Sequence, residues 1–157
     1  MIKYTIHSKC KHWPRRVNKI SKIIKKVLTY KNEMKFVSKI DYYCNIILTN
    51  DKSIKGLNKK YKNQNNATDV LTFVSKINYK NNLIEKHCDI YFSIETIKLY
   101  AKKNNINFYD HFTHLIIHSF LHINNFVHKK IKDYLIMQKK EIFLLKKLNI
   151  NNPYLIK

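Results

Sequence analysis

Residues 108–128 read FYDHFTHLIIHSFLHINNFVH. Apolar side chains recur at helical spacing as far as residue 123, so the run is read as an amphipathic helix. His118 and His122 are four apart and therefore lie one above the other on the same face. Two imidazoles so placed can bind one divalent metal ion. On a continuing helix His128, six residues later, would turn away from that face. A turn just after Asn124 would bring it back, and Asn125 is one of the few non-glycine residues that tolerates the left-handed geometry such a turn needs. His118, His122 and His128 then make three nitrogen ligands with a fourth position open, the arrangement of a catalytic rather than a structural zinc site. A histidine pair alone is more often surface or packing; the third histidine and the turn-former between them favour a metal site.

The neighbouring histidines are read separately. His114, one turn before His118, is placed to be its partner behind the metal. His111 is expected near the helix start and exposed. A second local group, His7, Cys10 and His12, lacks a fourth ligand and reads as ordinary surface. Ser119 follows the first ligand where an H-E-x-x-H zinc peptidase carries its glutamate base. Peptide hydrolysis would then need a distant carboxylate, of which Asp69 and Asp89 are the candidates.

Working outward, residues 1–8 alternate weakly and read as a strand. Pro14 suits a helix first turn, and Val17, Ile20, Ile23, Ile24, Val27 and Leu28 follow at helical spacing. Residues 41–49 form a β-rich run. Asp51 or Ser53 is the expected cap of a helix through Ile54, Leu57 and Tyr61. Residues 63–66 are a polar turn, residues 68–73 a third strand and residues 88–92 a fourth. Ser93 is the expected cap for a helix over 94–103, residues 104–107 break it, and residues 130–148 form the last helix. Strands come early and helices late, which predicts an α+β fold with one small sheet covered by helices. A single domain over residues 1–157 is expected for this length.

The 31 Lys+Arg against 10 Asp+Glu leave a net charge of +21, which attracts polyanions and makes nucleic acid the natural partner class. Lys, Ile, Asn and Tyr make up 82 of the 157 residues. All four have A/T-rich codons, so drift in base composition accounts for part of the lysine excess. No apolar stretch is long enough for a membrane span, no secretory leader is visible, and three scattered cysteines do not form a disulfide framework. A cytoplasmic protein is expected.

The histidine segment H-S-F-L-H-I-N-N-F-V-H resembles the H-G-x-L-H-x-x-G-Y-D-H signature of the YbeY family of endoribonucleases. Further segments agree in order. Residues 57–62, L-N-K-K-Y-K, are similar to the family's L-N-x-x-Y-R, and residues 67–74, A-T-D-V-L-T-F-V, to its P-T-D-V-L-S-F-P. Residues 88–90, C-D-I, match a G-D-I strand, and residues 148–154, L-N-I-N-N-P-Y, the closing L-G-x-x-x-P-Y. The resemblance implies a zinc-binding α+β fold and metal-dependent cleavage of single-stranded RNA. It also implies a role in 16S rRNA 3′-end maturation and ribosome quality control. Carried over, the metal ligands are His118, His122 and His128, with one Zn2+ per chain, and the family's functional arginine falls on Lys62. The implied partners are rRNA and the small ribosomal subunit, with ribosomal proteins or an assembly GTPase besides. Ser119, Asn125 and Cys88 replace glycines, and Val127 replaces an aspartate. Lys62 keeps the positive charge but loses the planar two-pronged donor of arginine. Thr68 and Asp69 keep the pattern and are read as strand-end hydrogen bonders. The alternative is a weakly active or non-catalytic ribosome-assembly factor that keeps the zinc structurally.

Overall fold

The structure is a computed structural model and describes residues 1–155. Strand β1 (Ile2–Ser8) is followed by a 3-10 turn at Pro14–Arg16 and helix α1 (Val17–Leu28). Then come β2 (Ile40–Thr49), α2 (Asp51–Lys62), β3 (Val70–Asn78) and β4 (Ile84–Ser93). The chain continues through α3 (Ile94–Lys103), α4 (Phe108–Ile123), α5 (Ile131–Lys147) and a short 3-10 turn at Pro153–Leu155. The expected α+β order is therefore present.

The four strands form one sheet in the order β1-β2-β4-β3. β1 and β4 run parallel to β2, whereas β3 pairs antiparallel to β4 as the edge. Burial follows the two-residue pleat. Tyr42, Cys44, Ile46 and Leu48 of β2, with Cys88, Ile90 and Phe92 of β4, are buried under the helices. The alternate residues Tyr43, Asn45, His87, Asp89 and Tyr91 face the other way and keep access to solvent. On the helical side Ile20, Ile24 and Val27 of α1 and Ile116, Ile117, Phe120 and Leu121 of α4 complete the core. Each such side chain contributes about 1.5–3 kcal/mol by leaving water. α4 contacts α1, α3, α5 and β3, which is why it is apolar on most of its circumference. Trp13 is fully buried, and its indole N–H donates to the Thr49 carbonyl at 2.8 Å.

Several expectations are corrected. α2 is capped by Asn50, whose Oδ1 accepts from the Ser53 N–H at 3.0 Å, not by Asp51 or Ser53. Ser93 holds the cap position of α3 but makes no capping bond; its hydroxyl donates instead to Asp51 and Glu95. β3 begins at Val70 rather than residue 68, and β3 and β4 extend as a hairpin to Asn78 and from Ile84. The outer half of β3 is exposed without alternation and that of β4 turns Lys86 inward, so cross-strand pairing rather than hydrophobic pattern makes them strands.

The left-handed positions explain how a chain with one glycine turns corners. Asn63, Asn82, Asn105, Asn125 and Asn149, together with Lys35, have positive φ. Asparagine carries this geometry at lower cost than other side chains. The turn at Asn125 (φ 69°) is among them, as its sequence suggests.

Candidate metal centre and cleft

α4 delivers His118 and His122 on one face, and the turn at Asn125 returns His128 to them. The His122 Nε2 lies 3.0 Å from His118 Nε2 and 3.1 Å from His128 Nε2. All three ligand atoms lie within 4.8 Å of one another, and they form the only such group among the described residues. Zn–N bonds of about 2.0–2.1 Å in a tetrahedron put ligand nitrogens roughly 3.3–3.4 Å apart, so the donor set fits zinc.

Two of the rings are held from behind. The Nδ1–H of His118 donates to Glu141 Oε1 at 2.5 Å, and that of His122 donates to the Phe126 carbonyl at 2.9 Å. These partners place the proton on Nδ1 and leave the Nε2 lone pair for an ion. Glu141, on α5, is only 1% exposed and also accepts from His114 Nε2–H at 3.0 Å and from the Tyr154 hydroxyl. Burial alone would raise its carboxyl, but the His114 and His118 hydrogen bonds outweigh burial and hold it down at about 2. Burial, then the charges of His118 and His128, bring His122 down to about 4. His122 is neutral at neutral pH, the form a metal ligand requires. Burial and the Glu141 contact raise the Tyr154 hydroxyl, which stays a donor.

The turn is held from the sheet. Lys86 is buried, and its ammonium donates to the Ile123 carbonyl at 2.6 Å, at the end of α4 where a cation opposes the helix dipole. Burial lowers the pKa of that lysine. The Tyr42 hydroxyl donates to Asn124 Oδ1 at 3.1 Å. Ser119 is fully buried and returns its hydroxyl to the Leu115 carbonyl, so the hydroxyl occupies a position the resemblance assigns to glycine without needing a partner outside the helix.

The histidines form one wall of a cleft of about 560 Å3. Lys62, at the end of α2, lines the same cleft, with Asn58, Thr68, Asp69 and Thr72. Asp69 accepts from the Val70 N–H and the Thr68 hydroxyl, the strand-end role expected of it. It also lies 3.3 Å from His111 Nε2. His111 is not exposed as expected: it is 4% exposed and stacked on Tyr100 at 4.2 Å. Burial works against the Asp69 charge, but the His111 contact together with the Val70 N–H and Thr68 hydroxyl bonds outweighs it and lowers the carboxyl. Asp89 lies on the opposite face of the sheet, bonded to the Asn45 amide. His7, Cys10 and His12 form no metal-ligand group among the described residues.

Glu141 was not identified from the sequence. One signal was there: Met137, Glu141, Leu144 and Leu145 share the buried stripe of α5, and a carboxylate on an apolar stripe calls for a cationic or protonated partner.

A sequence model described as Endoribonuclease YbeY matches residues 5–149. This chain belongs to the YbeY endoribonuclease family. The Endoribonuclease YbeY of Anaplasma phagocytophilum (strain HZ) is 37% identical over 124 residues, covering 75% of this chain and 77% of the relative. That of Anaplasma marginale (strain Florida) is 31% identical, covering 98% of this chain and 97% of the relative. The solution structure of TM1509 from Thermotoga maritima superposes with a TM-score of 0.55 at 20% identity, over 95% of this chain and 92% of that one. That last likeness concerns the fold. In this YbeY-family chain the fold brings His118, His122, His128 and Lys62 to one cleft.

Proposed function

We propose that this chain is a single-domain, zinc-dependent endoribonuclease for single-stranded RNA. Its proposed task is 3′-end maturation of 16S rRNA and ribosome quality control in the cytoplasm. The observation that supports it most is the convergence of three Nε2 atoms at 3.0 and 3.1 Å on the wall of a cleft that also holds Lys62. Family membership supplies the RNA substrate, and the net charge of +21 agrees with it.

In this reading His118, His122 and His128 hold one Zn2+, which would supply Lewis-acid polarisation of the scissile phosphate and acidification of water. Glu141 fixes the His118 ring and makes its imidazole a stronger donor. Lys62 stabilises the negative charge that builds on the phosphoryl oxygens. As an ammonium it acts as a point charge, where arginine would offer two parallel donors, so turnover is modest. The proposed partners are rRNA and the small ribosomal subunit, with ribosomal proteins or an assembly GTPase at the same particle.

Lys62 and Val127 also favour a second reading, a ribosome-assembly factor that keeps zinc for its fold and does not cleave. Lys62→Arg separates the two: it raises a weak RNA cleavage under the first and gives no turnover under the second. Protein purified without a histidine tag should hold about one zinc per chain. His118→Ala should lose both the zinc and the cleavage. Cleavage that survives in His118→Ala overturns the enzymatic assignment.

A further inference from the structure

The face of the sheet turned away from the core carries a row of rings that the cleft does not use. Tyr61 is 59% exposed at the end of α2, and its ring meets Phe73 edge-on at 5.3 Å. Phe73 meets Tyr91 at 6.0 Å. Farther across the same face Tyr43 and His87 stack at 5.0 Å with their planes 16° apart. Between the rings lies a depression of about 340 Å3, lined also by Leu57 and Asp89. A lysine sits over a ring at either side of the face: Lys60 Nζ lies 5.1 Å from the Tyr61 centroid, and Lys3 Nζ lies 5.8 Å from that of Tyr43.

The last turn of α2 and the edge strand β3 join this face to the cleft. Lys62 lines the cleft and its neighbour Tyr61 lines the depression, while Val74 borders both. A chain leaving the cleft past Lys62 meets the Tyr61 ring next. We infer that this open face is a base-stacking platform for single-stranded RNA running out of the cleft, with Tyr61 as its first ring. The inference rests on the reading of the cleft as a site for RNA.

The chemistry favours a polynucleotide over a protein partner. Aromatic faces stack on any nucleobase, and the lysines beside Tyr61 and Tyr43 can meet the phosphates that join the bases. An apolar protein surface would instead dehydrate the two lysine ammonium groups and the Asp89 carboxylate, whose protein partner among the described residues is the Asn45 amide. The Asp89 carboxylate does not oppose a base, because it can accept from a base N–H, whether an exocyclic amine or the N3–H of uracil. A duplex fits poorly, since its bases are already stacked on one another.

The test is equilibrium binding of the protein as isolated, its metal left in place, to a fluorescent 2′-O-methyl oligouridylate of about twelve nucleotides that resists cleavage, followed by anisotropy. Tyr61→Ala should weaken binding about fivefold or more, and Tyr61→Phe, which keeps the ring, should bind like the unmodified protein. The slope of log affinity against log salt should be the same in Tyr61→Ala, because a ring and no phosphate contact is lost. Binding of a blunt duplex RNA should not respond to either substitution. Unchanged oligouridylate affinity in Tyr61→Ala overturns the platform, as does a loss of equal size for duplex. The two proposals fail separately. An unmodified protein that never cleaves RNA, with ring-dependent binding intact, refutes the enzyme and leaves the platform standing. Zinc-dependent cleavage with ring-independent binding does the reverse.

Discussion

Glu141 makes the sharpest demand at the scale of single residues. Its carboxylate is buried, anionic and bonded to His118, so Glu141→Gln removes charge from behind a metal ligand without removing bulk. Zinc affinity should fall about 10–100-fold, measured by competition with a chelator; unchanged affinity would show that the carboxylate does not tune the ligand. His122 sets a pH dependence in the metal-free protein. Its folded pKa of about 4 lies below the ordinary 6.5, so between those values the unfolded chain binds the extra proton. The stability from neutral His122 is complete above about pH 6.5 and drains as pH falls toward 4. His122→Gln should flatten the fall in melting temperature over that interval, and an identical pH profile would contradict the assignment. The three ligands were legible in the sequence because their spacing is local, four residues and then six across a turn-former. Glu141 and His111 were not, because each is defined by a partner on another element. Glu141 stands 23 residues from His118, and His111 is buried against Tyr100 of α3 and Asp69 before β3.

At the scale of elements, the turn after α4 decides whether His128 reaches its partners. Asn125 has a φ of 69°, a geometry that a β-branched side chain resists. Asn125→Val should therefore cost roughly 1–2 kcal/mol in urea denaturation and lower zinc retention, whereas Asn125→Gly should be tolerated. Equal behaviour of the two variants would mean that the turn carries no strain. Lys86→Ala removes the ammonium from the Ile123 carbonyl and should cost about 1–3 kcal/mol. The order of elements was legible because each helix core follows the 3.6-residue period and each central strand is β-branched or aromatic. The hairpin halves of β3 and β4 were not, since their partner strand and not their own pattern defines them. The Asn50 cap was missed because asparagine, aspartate and serine, all good caps, fall within four residues.

For the whole molecule, the charge of +21 acts on RNA at long range but gives it no single address. The fold supplies one by setting three histidines, a lysine and a row of rings around the end of α2 and the edge of the sheet. Among the described residues no helix is long and apolar enough to cross a membrane. The most direct measurement is cleavage of a single-stranded RNA by tag-free protein as isolated, after chelation, and after zinc is restored. Cleavage that stops on chelation and returns with zinc is the predicted result. Cleavage that continues at full rate with the metal removed would contradict the metal centre as the seat of the activity.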